Sequence, residues 1–372
     1  MDRDPYGIIG YRGYAAADRA LVLGRVLQEQ GIAPADPAHG RWRNLVHALK
    51  RLESDPLPFA RVRATAAGTA TELAADDEGF LHAWVPLPAA TRKSGWHSIA
   101  LELVDERRKR GARAEAQVLI PAAGARFGVV SDMDDTVVQS EVTDFVRAAR
   151  LVLLENARTR LPFHGVAAFY RALERGAGGA EANPIFYVSN SPWNIYDVIE
   201  DFLAAQGIPT GPLLLRDWDL GLRLRRRPNH KARAIPEILA ANPTLPFILV
   251  GDSGQEDPEI YRAIVGAHPG RILAVYIRNV TPHPERHVAI RRLAGEVLAT
   301  GSILVLADDT LAVAQHAAQH GWIAASALAD IGEEKRADEG STEVKVPAPG
   351  VEPSASVPTV VVEDDPPPGD GA

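Results

Sequence analysis

Two hydrophobic spacings divide this chain. Between about residues 56 and 121, apolar and polar residues alternate. They do so in Ala60-Arg61-Val62-Arg63-Ala64-Thr65, and again at Ile99, Leu101 and Leu103 with Ala100 and Glu102 between them. A period of two predicts half-buried strands. Asp76-Asp77-Glu78-Gly79 is a turn between two such runs, and short strands at this spacing predict a small β-sandwich. Ahead of them Trp42, Leu45, Leu49 and Leu52 fall near helical spacing, which predicts an amphipathic helix near 41–53. Residues 1–40 either add strands to the sandwich or pack on the second domain.

From about residue 126 short apolar runs alternate with helical stretches, which predicts a parallel α/β sheet. The strands are expected at 127–131, 185–188, 213–215, 247–250, 272–277 and 303–306. Val142, Phe145, Val146, Ala149, Val152 and Leu153 keep helical spacing. Ser191 reads as a helix N-cap with Pro192 at the first helical position. Ile195, Ile199, Phe202 and Leu203 form that helix's apolar stripe, and Gly207 can end it. Residues 313–320 read as the last helix. Beyond about 331 proline, acid and small residues dominate, and such a segment cannot bury enough apolar surface to order itself. The expected division is a β-rich domain over 1–122, an α/β domain over 123–330 and a disordered acidic tail over 331–372.

Charge and composition narrow the classes. The formal charge is −8, and the stretch from Glu333 to Ala372 carries ten acidic and three basic residues, a net of −7. The body is near neutral, so nothing points to nucleic acid. There is no cysteine, which excludes disulfides, thiolate metal sites and a cysteine nucleophile. No apolar run approaches the length of a membrane span, and the first residues lack a signal core. These features give the expectation of a cytoplasmic protein.

The chemistry gathers at strand ends. The run Val129-Val130-Ser131 leads straight into Asp132, Met133, Asp134, Asp135 and Thr136. Carboxylates this close repel and together call for a cation. Ligands of open α/β sheets sit at the carboxyl ends of the strands. Alternation points Asp132 and Asp134 the same way, so one can attack phosphorus while the other handles the leaving-group proton. A solvated acidic loop or a helix N-terminal cluster would read alike locally. Ile185–Val188 ends in Ser189, Asn190 and Ser191, where a hydroxyl and backbone N–H groups suit a phosphoryl oxygen. Phe247–Val250 ends in Gly251, Asp252 and, further on, Asp257. Asp252 offers a hard oxygen ligand of the kind Mg2+ takes. Lys231, at the start of a helical stretch, can neutralise phosphate and nucleophile.

As an ordered set Asp132, Ser189, Lys231 and Asp252 resemble the four motifs of the haloacid-dehalogenase superfamily of phosphatases. The first motif, DxDx[TV], matches Asp132, Asp134 and Thr136, and the fourth, GDxxxxD, matches Gly251, Asp252 and Asp257. A closer resemblance is to the actin-patch phosphatidate phosphatase family. It rests on residues 131–137, 186–199, 214–218, 229–231 and 247–261, behind a β-rich N-terminal region.

That resemblance implies a haloacid-dehalogenase-like Rossmannoid parallel sheet behind an N-terminal β-sandwich. It implies a Mg2+-dependent phosphomonoester hydrolase working through an aspartyl phosphate on Asp132, with Asp134 as general acid and base. Ser189, Asn190 and Lys231 would bind phosphate. Asp132, Asp252 and the backbone carbonyl of Asp134 would hold the metal. Asp257 and Thr136 would support the site. Apart from the resemblance, Trp193 after the second motif, Arg216 after a strand and His230 beside Lys231 are candidates for substrate contact by position. The implied substrate is phosphatidate. The same chemistry on a soluble phosphomonoester, or a catalytically silent binding module, are the alternatives. Arg223, Arg225, Arg226 and Arg227, and separately Lys93, Trp96 and His97, are candidates for peripheral contact with an anionic membrane, or else solvated and packed residues.

Overall fold

The computed structural model describes residues 6–28, 56–88, 93–104, 112–133, 164–216, 229–342 and 360–361. The helices expected near 41–53 and over 142–153 lie outside the described residues.

The N-terminal region is a sandwich of two sheets. Strands β1 (Tyr6–Gly10), β3 (Arg19–Gln28) and β6 (Phe80–Pro86) form one sheet in the order β1-β3-β6. Strands β2 (Arg12–Tyr14), β4 (Arg61–Ala66), β5 (Thr69–Ala74), β7 (Gly95–Leu103) and β8 (Arg113–Ile120) form the other, ordered β2-β8-β7-β4-β5. The alternation in the sequence is what builds it. Along β4, Val62, Ala64 and Ala66 are buried between more exposed Arg61, Arg63 and Thr65. A core of inward residues from both sheets results, including Val22, Val62, Leu81, Ile99 and Val118. Asp76 makes the expected turn, its Oδ1 accepting from the N–H groups of Glu78 and Phe80 at 2.9 and 2.8 Å.

The second region is one seven-stranded sheet. Strands β9 (Gly128–Asp132), β10 (Ile185–Pro192), β11 (Leu213–Arg216), β12 (Phe247–Asp252), β13 (Ile272–Arg278), β14 (Ile303–Ala307) and β15 (Val360–Val361) lie in the order β11-β10-β9-β12-β13-β14-β15. All neighbours are parallel except β15, which runs antiparallel to β14. Helices α3 (His230–Ala241), α4 (Asp257–Ala267) and α5 (Pro284–Leu298) pack in sequence on each other, while α1 (Val166–Arg175), α6 (Thr310–Gln319) and α7 (Ala327–Thr342) form a second group. Parallel strands covered by helices read as continuous apolar runs. Accordingly Val129, Val130, Ile248, Leu249, Ala274 and Val275 are all fully buried.

Three boundaries differ from the sequence expectation. Ser191 and Pro192 end β10 instead of opening a helix; a 3-10 turn, Trp193–Ile195, intervenes before α2 (Tyr196–Ala205). Pro192 is kept extended because it continues the sheet opposite Arg216. Residues 310–319 are not the last helix, since α7 comes after them and runs to Thr342, inside the stretch expected to be disordered. The cause is side-chain anchoring that composition does not reveal. Ile331 is fully buried, Glu334 accepts from the Ala168 N–H at 2.7 Å and pairs with Arg171, and Lys335 reaches Asp309 at 3.1 Å. The tail also returns at Val360–Val361 to pair with Leu306 and Val305.

Asp309 is the helix cap that its place after a strand predicts: its side chain accepts from the Ala312 N–H at 2.9 Å. Gly207, just past α2, sits at φ 65°, a left-handed conformation that suits glycine at a helix end.

Candidate active site

The chain steps outward from β9 to β10 and β11, then crosses back to β12 and continues the other way. The crevice between β9 and β12 is therefore the point where the winding reverses, and such points are where open α/β sheets hold ligands. Register brings the functional ends together: Val188 of β10 stands opposite Asp132, and Val250 of β12 stands opposite Ser131.

At that crevice Lys231, in the first turn of α3, inserts its ammonium between two carboxylates. Its Nζ lies 2.9 Å from Asp132 Oδ1 and 2.6 Å from Asp257 Oδ1. All three side chains are sealed, at 1%, 4% and 0% exposure for Lys231, Asp132 and Asp257. Asn229 starts the helix by accepting from the Lys231 N–H at 3.0 Å, which fixes where the lysine leaves the backbone. Oδ1 of Asp132 also accepts from the Met133 N–H at 2.7 Å, so the carboxylate is oriented by its own chain.

Asp252 completes the group. Oxygens of Asp132, Asp252 and Asp257 lie within 4.8 Å of one another. The Asp252 carboxylate accepts from the N–H groups of Gly254 and Gln255 at 2.6 and 3.2 Å, while its own N–H donates to Asp257 Oδ2 at 3.2 Å. Gly251 is required by space: a Cβ there would overlap Asp257 Oδ2. Burial first, and then the neighbouring Asp257 charge, push the Asp252 carboxyl above its ordinary value, against the pull of its backbone N–H bonds and of Lys231. Three carboxylates gather beside one ammonium. An all-oxygen carboxylate set of this kind could hold a hard divalent cation such as Mg2+.

Among the other sequence candidates, Ser189 is fully buried and its Oγ accepts from the Ser191 N–H at 3.0 Å. Asn190 beside it is partly exposed. His230 turns its Nε2 to the Leu214 carbonyl oxygen at 3.1 Å, tying α3 to β11. Arg216 is exposed at the end of β11. Trp193 is buried, stacked on Tyr11 of the sandwich. Asp134, Asp135, Thr136, Asp217, Trp218 and the arginines of 223–227 lie outside the described residues.

The structure adds supporting residues that sequence reading missed. Tyr170 of α1 meets Ser131 Oγ at 2.6 Å beneath Asp132; burial raises its hydroxyl to about 12, so it stays neutral. Tyr261 donates to the Val250 carbonyl at 3.0 Å. Arg286, far along the chain, donates to the carbonyls of Ser253 and Gln255 at 3.0 and 2.6 Å and pairs with Glu259, which pins the turn after Asp252. No local pattern marks these three, because each acts across elements.

Fold and site together define a doubly wound α/β domain that collects three carboxylates and a lysine where its winding reverses. Residues 127–279 match the family described as "Phosphatidate phosphatase APP1, catalytic domain". Phosphatidate phosphatase APP1 of Saccharomyces cerevisiae is 34% identical over 156 residues, covering 41% of this chain and 26% of the yeast protein. An uncharacterized protein of Schizosaccharomyces pombe is 27% identical over 158 residues, covering 41% of this chain and 25% of its own length. The matched region thus spans about a quarter of either relative. Among solved structures, a β-D-glucuronidase of Dictyoglomus thermophilum aligns at 11% identity and a TM-score of 0.20 over 83% of this chain and 44% of that one, too low to bear on the fold.

Proposed function

We propose that this protein is a Mg2+-dependent phosphomonoester hydrolase of the haloacid-dehalogenase type that acts through an aspartyl phosphate, with phosphatidate as substrate and diacylglycerol and phosphate as products. The observation that carries the reading is the buried ammonium of Lys231 shared between Asp132 and Asp257, with Asp252 in the same cluster. The family match and the yeast relative support phosphatidate as the substrate.

An Asp132 carboxylate oxygen attacks phosphorus in line and the ester P–O bond breaks. The departing alkoxide takes a proton from Asp134, which then removes one from the water that cleaves the acyl phosphate. Lys231 and the Ser189–Asn190 groups hold the equatorial oxygens, whose charge shifts during transfer. Asp257 orients Lys231 through its 2.6 Å contact. Asp132, Asp252 and the Asp134 carbonyl would hold Mg2+, whose contribution when bound is to neutralise charge on the phosphoryl group. Among the described residues no helix is long and apolar enough to cross a membrane, so a lipid substrate would be met at the bilayer surface.

Phosphate release from phosphatidate in mixed micelles, set beside a panel of soluble phosphomonoesters with and without Mg2+, tests this. Phosphatidate should lead the panel and chelation should stop turnover. Asp132→Asn should form no acid-stable, base-labile phosphoenzyme. Wild-type turnover by that variant would end the assignment.

A further inference from the structure

The segment that begins at Ser189 is held from outside its own domain. Between Val188 and Pro192, β10 advances four residues while β11 advances two, from Leu214 to Arg216. Ser189, Asn190 and Ser191 therefore form a bulge, a device that re-aims side chains at sheet ends. Its upstream anchor is the centre of the sheet, where Val188 faces Asp132. Its downstream anchor is Trp193, which stacks on Tyr196 of its own domain at 5.9 Å and is covered on the sandwich side by two further rings. The Tyr11 ring stacks on Trp193 at 5.0 Å and 16°, and Phe80 lies 6.3 Å from it.

A second contact closes beside the first. The Arg12 N–H donates to Tyr196 Oη at 2.9 Å, Tyr196 donates to Glu200 at 3.0 Å, and Glu200 pairs with the Arg12 guanidinium at 2.6 Å. Tyr11 also packs on Tyr196, with ring centroids 4.4 Å apart. Stacked aromatic pairs in buried seams contribute beyond their area. Within the bulge itself, the Ser191 N–H to Ser189 Oγ bond is a short local tie, which cannot fix the direction of the far end.

We infer that Tyr11 and Arg12 of the N-terminal sandwich are positioning residues for the site: by clamping Trp193 and Tyr196 they keep the Ser189–Ser191 bulge aimed at the phosphoryl group. The inference rests on reading that bulge as phosphate-binding. It makes the sandwich, which lies wholly outside the matched segment 127–279, a working part of the hydrolase.

The test compares full-length wild type, Tyr11→Ala, Tyr11→Phe and Arg12→Met by hydrogen–deuterium exchange and by kinetics. Tyr11→Ala should speed exchange at residues 189–193 about tenfold or more while leaving 247–252 as in wild type. Its inhibition constant for inorganic phosphate should rise about tenfold and its kcat/KM should fall about tenfold or more, since misplacement by about 1 Å can cost up to about 100-fold in rate. Tyr11→Phe keeps the ring and should behave as wild type. Arg12→Met should move the same quantities less, and it decides the matter if Tyr11→Ala does not fold. Unchanged exchange at 189–193, or equal loosening at 247–252, would overturn the inference. A wild type that hydrolyses no phosphomonoester would instead overturn the proposed function, and the exchange data would still judge the clamp.

Discussion

Lys231 and Asp257 meet at 2.6 Å with both side chains closed to solvent, one from the first turn of α3 and the other from the first residue of α4. Two helices that start at the same end of the sheet are thus joined by one ion pair, and the same ammonium reaches Asp132 on β9. Under the proposed mechanism, stability and chemistry share this contact.

Lys231→Met should therefore harm both. It leaves Asp132 and Asp257 buried without their cation, and breaking a buried pair costs about 3–5 kcal/mol. Guanidinium unfolding of the variant should show a loss of that order. Phosphate release should fall roughly 100-fold or more, because a donor aimed at developing charge is gone. Near-wild-type stability would mean that the lysine is not the partner of both acids.

Mg2+ should stabilise the folded chain. A ligand that binds only the native state adds about 2.7 kcal/mol at a hundred-fold excess over its Kd. Thermal scans should show the midpoint rising with Mg2+ and falling back with chelator. Asp252→Asn, which removes one carboxylate from the cluster, should abolish most of that rise. An undiminished rise in the variant would place the metal elsewhere.

Stability should decline from pH 6.5 towards 4 through His316. Burial, and then the nearby His320, lower its pKa from 6.5 to about 4, so the folded protein keeps the ring neutral. Tyr276 Oη stands 2.9 Å from its Nδ1, and Trp322 packs against it. Below pH 6.5 the unfolded chain takes up a proton that the folded chain refuses, so stability is full above that value and falls as pH drops. The loss by pH 4 is on the order of 3 kcal/mol. His316→Gln should flatten this part of the profile relative to wild type in denaturation series between pH 7.5 and 4.5.

Ile331→Ala tests whether α7 belongs to the folded body. The side chain is fully buried in the main core, and such truncations cost about 2–5 kcal/mol. A loss of that size by urea unfolding would count α7 as part of the domain. No loss would return the helix to the tail.

The parts of this structure legible in the sequence came from periodicity and from strand ends. Period-two alternation gave the sandwich strands, and the apolar runs before Asp132, Ser189 and Asp252 gave three neighbouring strands of the parallel sheet. The convergence of Asp132, Lys231, Asp252 and Asp257 was legible because strand carboxyl ends and helix starts share one side of an α/β layer. Residues acting between elements were not. Arg286 pins a turn more than thirty positions away, and Trp193 is fixed by a ring from the sandwich. α7 was missed because its composition is that of a tail, and it is held by Ile331 and by the polar contacts of Glu334, Lys335 and Asp338.

The antiparallel pairing of Val360–Val361 with β14 has a practical corollary. β14 is otherwise the outermost rung of the parallel ladder, and an outermost rung with open N–H and carbonyl groups recruits other chains. The acidic tail returns just far enough to cap it. Shortened versions ending at residue 342 would expose that rung, and self-association on storage would result from lost edge protection, with the carboxylate crevice on the far side of β12 and β13 left intact.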